Sequence, residues 1–297
     1  MQIEKVGVVG CGLMGHGIAQ VAAQGGFDVI AFEVAQEPLD KGLARIEKSL
    51  AKLASKAVEK GKQTESEASA WVSAARDRIT PSTDESDLAD CDLVIEAIVE
   101  DLDVKKDLFA RLGAAAKQST IFASNTSSFP IAEMAQASGR PARFVGLHFF
   151  NPVQLMRLVE VVRTDATDDD VFAAARAFGE ACGKSPVSCR DTPGFVVNRL
   201  LVPYMVQAIQ MLDRGDSTPE DIDTAMQLGC GHPMGPITLT DYVGLDTTLA
   251  ILRGWTARYP DEQSFAIPAS LESKVAEGKL GRKTGEGYYK WEGDKKS

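Results

Sequence analysis

The chain has 297 residues, 44% of them hydrophobic and 25% charged. That length gives one large or two ordinary domains with full cores, and the composition excludes a disordered, collagen-like or small disulfide-scaffold chain. A formal net charge of −10 with a pI near 4.9 argues against nucleic acid as a partner, and no apolar run is long enough for a membrane span.

Residues 3–9 (IEKVGVV) form a short β-rich run. They meet Gly10-Cys11-Gly12-Leu13-Met14-Gly15 and then a helical pattern of Ile18, Val21 and Ala22. A second apolar strand is expected over 27–33, and the whole makes a βαβ unit. Gly10 permits the tight turn, Gly12 lets the backbone approach a pyrophosphate, and Gly15 lets the helix close on the strand. Helix N–H groups from Leu13 and Met14 onward are donors for that pyrophosphate. A glycine turn without a ligand is the alternative. Glu33 ends the second strand, where an acid accepts hydrogen bonds from the adenosine ribose hydroxyls. No Arg follows in Val34-Ala35-Gln36 to meet a 2′-phosphate, so NAD is expected over NADP.

Residues 37–76 break the strand–helix alternation. Leu39, Leu43, Ile46, Leu50, Leu53 and Ala57 recur at steps of three and four, which predicts a helix over 37–61. A second helical stretch, 65–76, follows the turn Lys60-Gly61-Lys62. Together they predict a helical hairpin inserted after the second strand. Its other face carries Lys41, Arg45, Lys48, Lys52, Lys56 and Lys60, and 41–62 holds seven basic and two acidic residues.

Further strands are expected over 92–98, 120–124, 143–149 and 158–163, with helical patterns between them. Their continuous apolar character fits a mostly parallel sheet buried on both faces, the core of a doubly wound, Rossmann-like α/β domain. At Thr192-Pro193-Gly194 the texture changes. Residues 195–214, 219–229, 242–257 and 268–277 read as helices, so the chain divides into an α/β domain (1–191) and an all-helical C-terminal domain (192–297). The tail Asp294–Ser297 is expected to fray. Five scattered cysteines without a CxxC read as reduced thiols in the cytoplasm, with no metal site. No targeting segment is assigned; Val6–Gly26 fits the glycine fingerprint better than a signal peptide.

Histidine is scarce: His16, His148 and His232. His16 lies in the first turn of the cofactor helix, where packing or a phosphate contact explains it. His148 ends a buried strand, GLHFFNP, and the carboxyl ends of strands face the ligand crevice of an open α/β sheet. A base that removes an alcohol proton needs a group titrating near neutrality, which imidazole supplies. A satisfied structural histidine is the alternative. Glu160 supports the catalytic reading. If 143–149 and 158–163 pair, a short return sets its carboxylate beside His148, and a charge inside an apolar strand needs a purpose. In Ser124-Asn125-Thr126-Ser127-Ser128, Ser128 is expected to cap the next helix with Pro130 in its first turn, leaving Ser127 free. Asn198 on the first helix of the second domain is either structural or a cleft residue.

Over essentially its whole length the chain resembles the short-chain L-3-hydroxyacyl-CoA dehydrogenases, the stand-alone bacterial 3-hydroxybutyryl-CoA dehydrogenases in particular. The resemblance rests on VGVVGCGLMGHGIAQ, DLVIEAIVED, FASNTSS, GLHFFNPV, LVEVV, DTPGFVVNRLL, GCGHPMGP, DYVGLD and GRKTGEGYY. It implies His148 as general acid/base, Glu160 as its partner, and Ser127 and Asn198 at the substrate oxygen. It places Asn151 near the nicotinamide and thioester, and Glu100, Lys105 and Lys283 at the cofactor. It sets Ser49 and Lys56 on the hairpin against coenzyme A, and it implies a homodimer through the helical domain. Glu33 stands where Asp is commoner in the family. CoA carries three phosphate groups, so a Lys/Arg-lined helix is a suitable dock for an acyl-CoA; a solvated helix face is the alternative. The competing functions are a same-fold dehydrogenase of a free hydroxy acid, such as a sugar acid or carnitine, and a non-catalytic NAD-binding scaffold.

Overall fold

The structure, a computed structural model, describes residues 2–297. It divides into two units, one running to Phe195 and the other over Val196–Ser297.

The first unit is built on one eight-stranded sheet. Strand β1 (Lys5–Val9) leads into α1 (Gly15–Gln24), β2 (Asp28–Phe32), α2 (Gln36–Glu59), α3 (Glu65–Asp77) and β3 (Ile79–Ser82). The second half runs β4 (Leu93–Glu96), α4 (Leu102–Ala115), β5 (Ile121–Ser124), α5 (Ile131–Ala137), β6 (Phe144–Phe149), β7 (Leu158–Arg163), α6 (Asp169–Ala181) and β8 (Ser185–Arg190). The strand order is β3-β2-β1-β4-β5-β6-β7-β8. All neighbours are parallel except β6 and β7. β1, β4, β5 and β6 are buried nearly throughout because helices cover both faces. One apolar cluster joins the sheet to α1, the hairpin and α6; a second joins the other face to α4 and α5.

The hairpin of α2 and α3 follows β2, as the apolar steps predicted. Its buried seam, however, is Leu39, Gly42, Ile46, Leu50 and Ala54, while Leu43, Leu53 and Ala57 are half-buried. Thr64 opens α3 with a capping box, accepting from Glu67 N–H while the Glu67 carboxylate accepts from Thr64 N–H.

Strands β3 and β8 were not expected from the sequence. Both are edge strands with exposed positions (two of four residues in β3, four of six in β8), so neither carries a continuous apolar signature. The expected Ser128 cap is also absent among the described residues. Pro130 occupies the cap position of α5, and the Asp191 carboxylate accepts from Ala132 N–H at 2.8 Å.

The second unit holds α7 (Val197–Asp213), α8 (Pro219–Cys230), α9 (Pro236–Val243), α10 (Leu245–Arg258) and α11 (Ala269–Ala276). The stretch read as one helix over 242–257 is in fact α9 and α10, separated at Gly244, whose φ of 98° a side chain would strain. The tail does not fray. Strands β9 (Trp291–Glu292) and β10 (Lys295–Lys296) pair as an antiparallel ribbon, and the Lys296 ammonium donates to Asp223 at 3.0 Å and to the Thr238 hydroxyl. No helix among the described residues is long and apolar enough to cross a membrane.

Candidate active site

The glycine turn has the geometry a dinucleotide needs. Gly10 sits at φ 94°, where a Cβ would lie 2.7 Å from the Ala97 carbonyl oxygen. A Cβ on Gly15 would lie 1.7 Å from the Gly10 carbonyl oxygen, so α1 starts against the turn only because both are glycine. At Gly12 a Cβ would face open space. No side chain among the described residues caps α1, which leaves its first N–H groups for an anion. One oxygen of Glu33 accepts from Cys11 N–H at 2.8 Å, and the carboxylate lines a cleft of about 480 Å³ with Gly10, Gly12, Leu13, Met14 and Val34. An uncapped helix start, a bare backbone and an anchored acid fit a pyrophosphate with its ribose. Cys11 is not a reactive group here: burial, then the Glu33 charge, push its thiol up to about 12.

The antiparallel register of β6 and β7 sets His148 opposite Glu160. The ring Nδ1 lies 2.6 Å from Glu160 Oε2. Glu160 is fully buried and His148 is 6% exposed. Opposite an ionised carboxylate, which only accepts, Nδ1 is the donor, and a neutral ring in this pairing has its lone pair on Nε2. Phe150 and Phe195 flank the imidazole, with ring centroids 4.5 Å and 5.5 Å away. Asn125 fixes the end of β6 by accepting from Phe149 N–H at 2.9 Å. Neither this clamp nor the aromatic walls had a sequence signal, because both arise from tertiary contacts.

Ser127 follows β5 and is half-buried. Its N–H donates to Glu100 Oε1 at 3.1 Å, and its hydroxyl is 3.3 Å from that of Ser128. Glu100 also accepts from the Thr126 hydroxyl at 2.6 Å and pairs with Lys105 at 3.0 Å. Burial raises the Glu100 carboxyl, but Lys105, Thr126 and the Ser127 amide together bring it below its ordinary range. Lys105 itself is 1% exposed and also pairs with Glu96. Asn151 is exposed at the start of the β6–β7 connection.

Ser49 and Lys56 come together in a pocket of about 370 Å³ lined also by Arg45, Lys48, Lys52 and Leu53. Its opposite wall is His16, Pro152, Gln154 and Leu155, a lining the sequence did not reveal. His16 Nδ1 donates to the Gly12 carbonyl at 2.6 Å, which ties this pocket to the glycine turn. Four ammonium or guanidinium groups on one apolar-floored pocket suit a ligand with phosphates at one end and an acyl chain at the other.

Asn198 and Lys283 lie in the second unit. Asn198 is half-buried in the first turn of α7, and the Lys283 ammonium bonds Asp246 at 2.6 and 2.7 Å.

Comparison with known proteins places the chain among relatives along nearly its whole length. The family described as 3-hydroxyacyl-CoA dehydrogenase, NAD binding domain, matches residues 5–192, and that family's C-terminal domain matches residues 194–291. A probable 3-hydroxybutyryl-CoA dehydrogenase of Deinococcus radiodurans is 51% identical over 287 residues, 97% of this chain and 100% of the relative. The mitochondrial hydroxyacyl-coenzyme A dehydrogenase of Rattus norvegicus is 50% identical over 290 residues, 97% of this chain and 91% of the relative. The crystal structure of an (S)-3-hydroxybutyryl-CoA dehydrogenase from Ralstonia eutropha aligns with a TM-score of 0.91 at 40% identity, covering 98% of this chain and all of that one.

Proposed function

Because the chain belongs to the 3-hydroxyacyl-CoA dehydrogenase family, we propose that it reversibly oxidises a (3S)-3-hydroxyacyl-CoA, preferably 3-hydroxybutyryl-CoA, to the 3-ketoacyl-CoA. The buried His148–Glu160 pair carries this reading. The C4 preference takes its support from the relatives named for 3-hydroxybutyryl-CoA.

NAD, when bound at the glycine turn, supplies the acceptor for the hydride that leaves C3, and its reduced form the donor in reverse. The protein moves the proton. Nε2 of His148 accepts it from the C3 hydroxyl, and the imidazolium that forms is balanced by the Glu160 carboxylate 2.6 Å from Nδ1. In reduction the protonated ring returns the proton to the forming alkoxide. Positioned proton transfer of this kind contributes about 10²–10⁴-fold. Ser127 steadies the substrate oxygen, Asn151 borders the nicotinamide and thioester, and Glu100 with Lys105 orders the cofactor end. Asn198 at the substrate oxygen and Lys283 at the cofactor belong to this reading through the family resemblance alone.

Ser49, Lys56 and the neighbouring cations take the phosphates of CoA. That pocket favours a CoA ester over a free hydroxy acid, which has no phosphate to place there. The reading includes a homodimer through the second unit, supported by exposed Leu200, Met211 and Leu228, and a cytoplasmic location, supported by five free cysteines. Absorbance of NADH on adding acetoacetyl-CoA tests the activity. A fall with acetoacetyl-CoA and none with free acetoacetate supports the reading; the reverse pattern rejects it.

A further inference from the structure

We propose that Glu96, Lys105 and Ser124 are positioning residues that fix the loop carrying Ser127 by way of Glu100. This rests on the reading of the cleft given above. Glu96 ends β4 and is fully buried. Its Oε1 accepts from Ile98 N–H at 2.8 Å and from the Lys105 ammonium at 2.5 Å. Its Oε2 accepts from the Ser124 hydroxyl at 2.6 Å. Lys105, at the start of α4, reaches on to Glu100 Oε2 at 3.0 Å, and Glu100 Oε1 holds the Thr126 hydroxyl and the Ser127 amide. Ser124 closes the circuit: its hydroxyl oxygen also accepts from Thr126 N–H at 3.2 Å.

The chain of charge-assisted bonds thus runs from the sheet to Ser127 without a gap. A buried ammonium between carboxylates is poor value as a source of stability, since apolar packing of the same volume does as well or better. What charged bonds give here is direction. They are short, they resist rotation, and they hold Glu100 ionised and aimed. Lys105 is 1% exposed and its ammonium is held between Glu96 and Glu100, so the effect argued here runs through Glu100 and the 126–128 turn.

The test compares the full-length protein with two variants, Ser124→Ala and the double Glu96→Gln/Lys105→Met. The double removes the Glu96 and Lys105 charges together and keeps the stem volume; Glu100 loses its cation but its side chain is 40% exposed. Four quantities are read: the NADH dissociation constant by fluorescence titration, kcat and KM with acetoacetyl-CoA, and the melting temperature. The proposal expects the double to melt close to wild type while its NADH Kd rises and its kcat falls, each about tenfold. Ser124→Ala should move both in the same direction by about threefold. Kd and kcat within about twofold of wild type in the folded variants would overturn the proposal. If the double does not fold, Ser124→Ala alone decides by the same criterion. A wild-type protein that binds no NADH would instead refute the reading of the cleft.

Discussion

His148 and Glu160 are direct cross-strand partners at the antiparallel junction of the main sheet, ring nitrogen to carboxylate, 2.6 Å apart. Because the return from β6 to β7 is short, both groups sit on rigid strands, and the acid orients the ring without a mobile loop between them. Removing the negative charge while keeping the shape isolates its contribution. Glu160→Gln should lower kcat by about 10²-fold with the NADH dissociation constant unchanged, because the imidazolium loses its counter-charge. Stopped-flow reduction of acetoacetyl-CoA across pH checks this. An unshifted pH–rate profile in the variant would reject the pairing.

The basic pocket makes a separable prediction. Lys56→Ala should raise KM for acetoacetyl-CoA about tenfold while kcat changes little, since a phosphate contact is remote from C3. The wild-type KM should also rise with salt, and less steeply in the variant. A short thioester without the nucleotide should be indifferent to Lys56.

On the proposed reading, Glu33 sets the cofactor choice. Its carboxylate is anchored by Cys11 N–H and faces the cleft at the end of β2. A 2′-phosphate there meets a negative charge, so kcat/KM with NADH should exceed that with NADPH by about 10²-fold. Glu33→Ser should narrow the ratio by weakening NADH. Comparable kcat/KM with both cofactors in the wild type would contradict this assignment.

Much of this arrangement was legible in the sequence, for identifiable reasons. The first βαβ unit showed itself because its glycines have steric duties at Gly10 and Gly15 and its strands are buried on both faces. The His148–Glu160 contact followed from two apolar strands joined by a short return, which allows only antiparallel pairing. The stripe of cations on α2 was periodic and proved exposed, whereas its buried seam took in Gly42 and Ala54, small residues that an apolar spacing does not mark; a Cβ on Gly42 would lie 2.5 Å from that of Cys11. Edge strands β3 and β8 were invisible because exposed strands need no apolar pattern. Lys105 read as a cofactor contact by resemblance; only the fold reveals it enclosed by Glu96 and Glu100. The C-terminal ribbon was missed because polar Lys295 and Lys296 look like a tail until Asp223 is found beneath them.

That acid supplies a prediction about pH and stability. Burial pushes the Asp223 carboxyl up, but bonds from Thr238, Lys296, Tyr289 and Ile237 N–H outweigh it and hold the group below its ordinary value of 3.8. A depressed native value stabilises the fold above the unfolded value, and that contribution disappears as pH falls through the native one. Asp223→Asn should therefore cost about 2 kcal/mol at neutral pH. Thermal melts from neutral pH downward should show the gap between variant and wild type closing below about pH 4. A gap that stays constant to acid pH would mean that the charge contributes nothing.

The decisive measurement is the rate of NADH oxidation by His148→Gln with saturating acetoacetyl-CoA, in a preparation whose NADH dissociation constant matches wild type. Loss of the proton donor from a site otherwise intact should reduce kcat by about 10³-fold. A kcat within a few-fold of wild type would mean that the proton travels by another route, and the account of this site would be wrong.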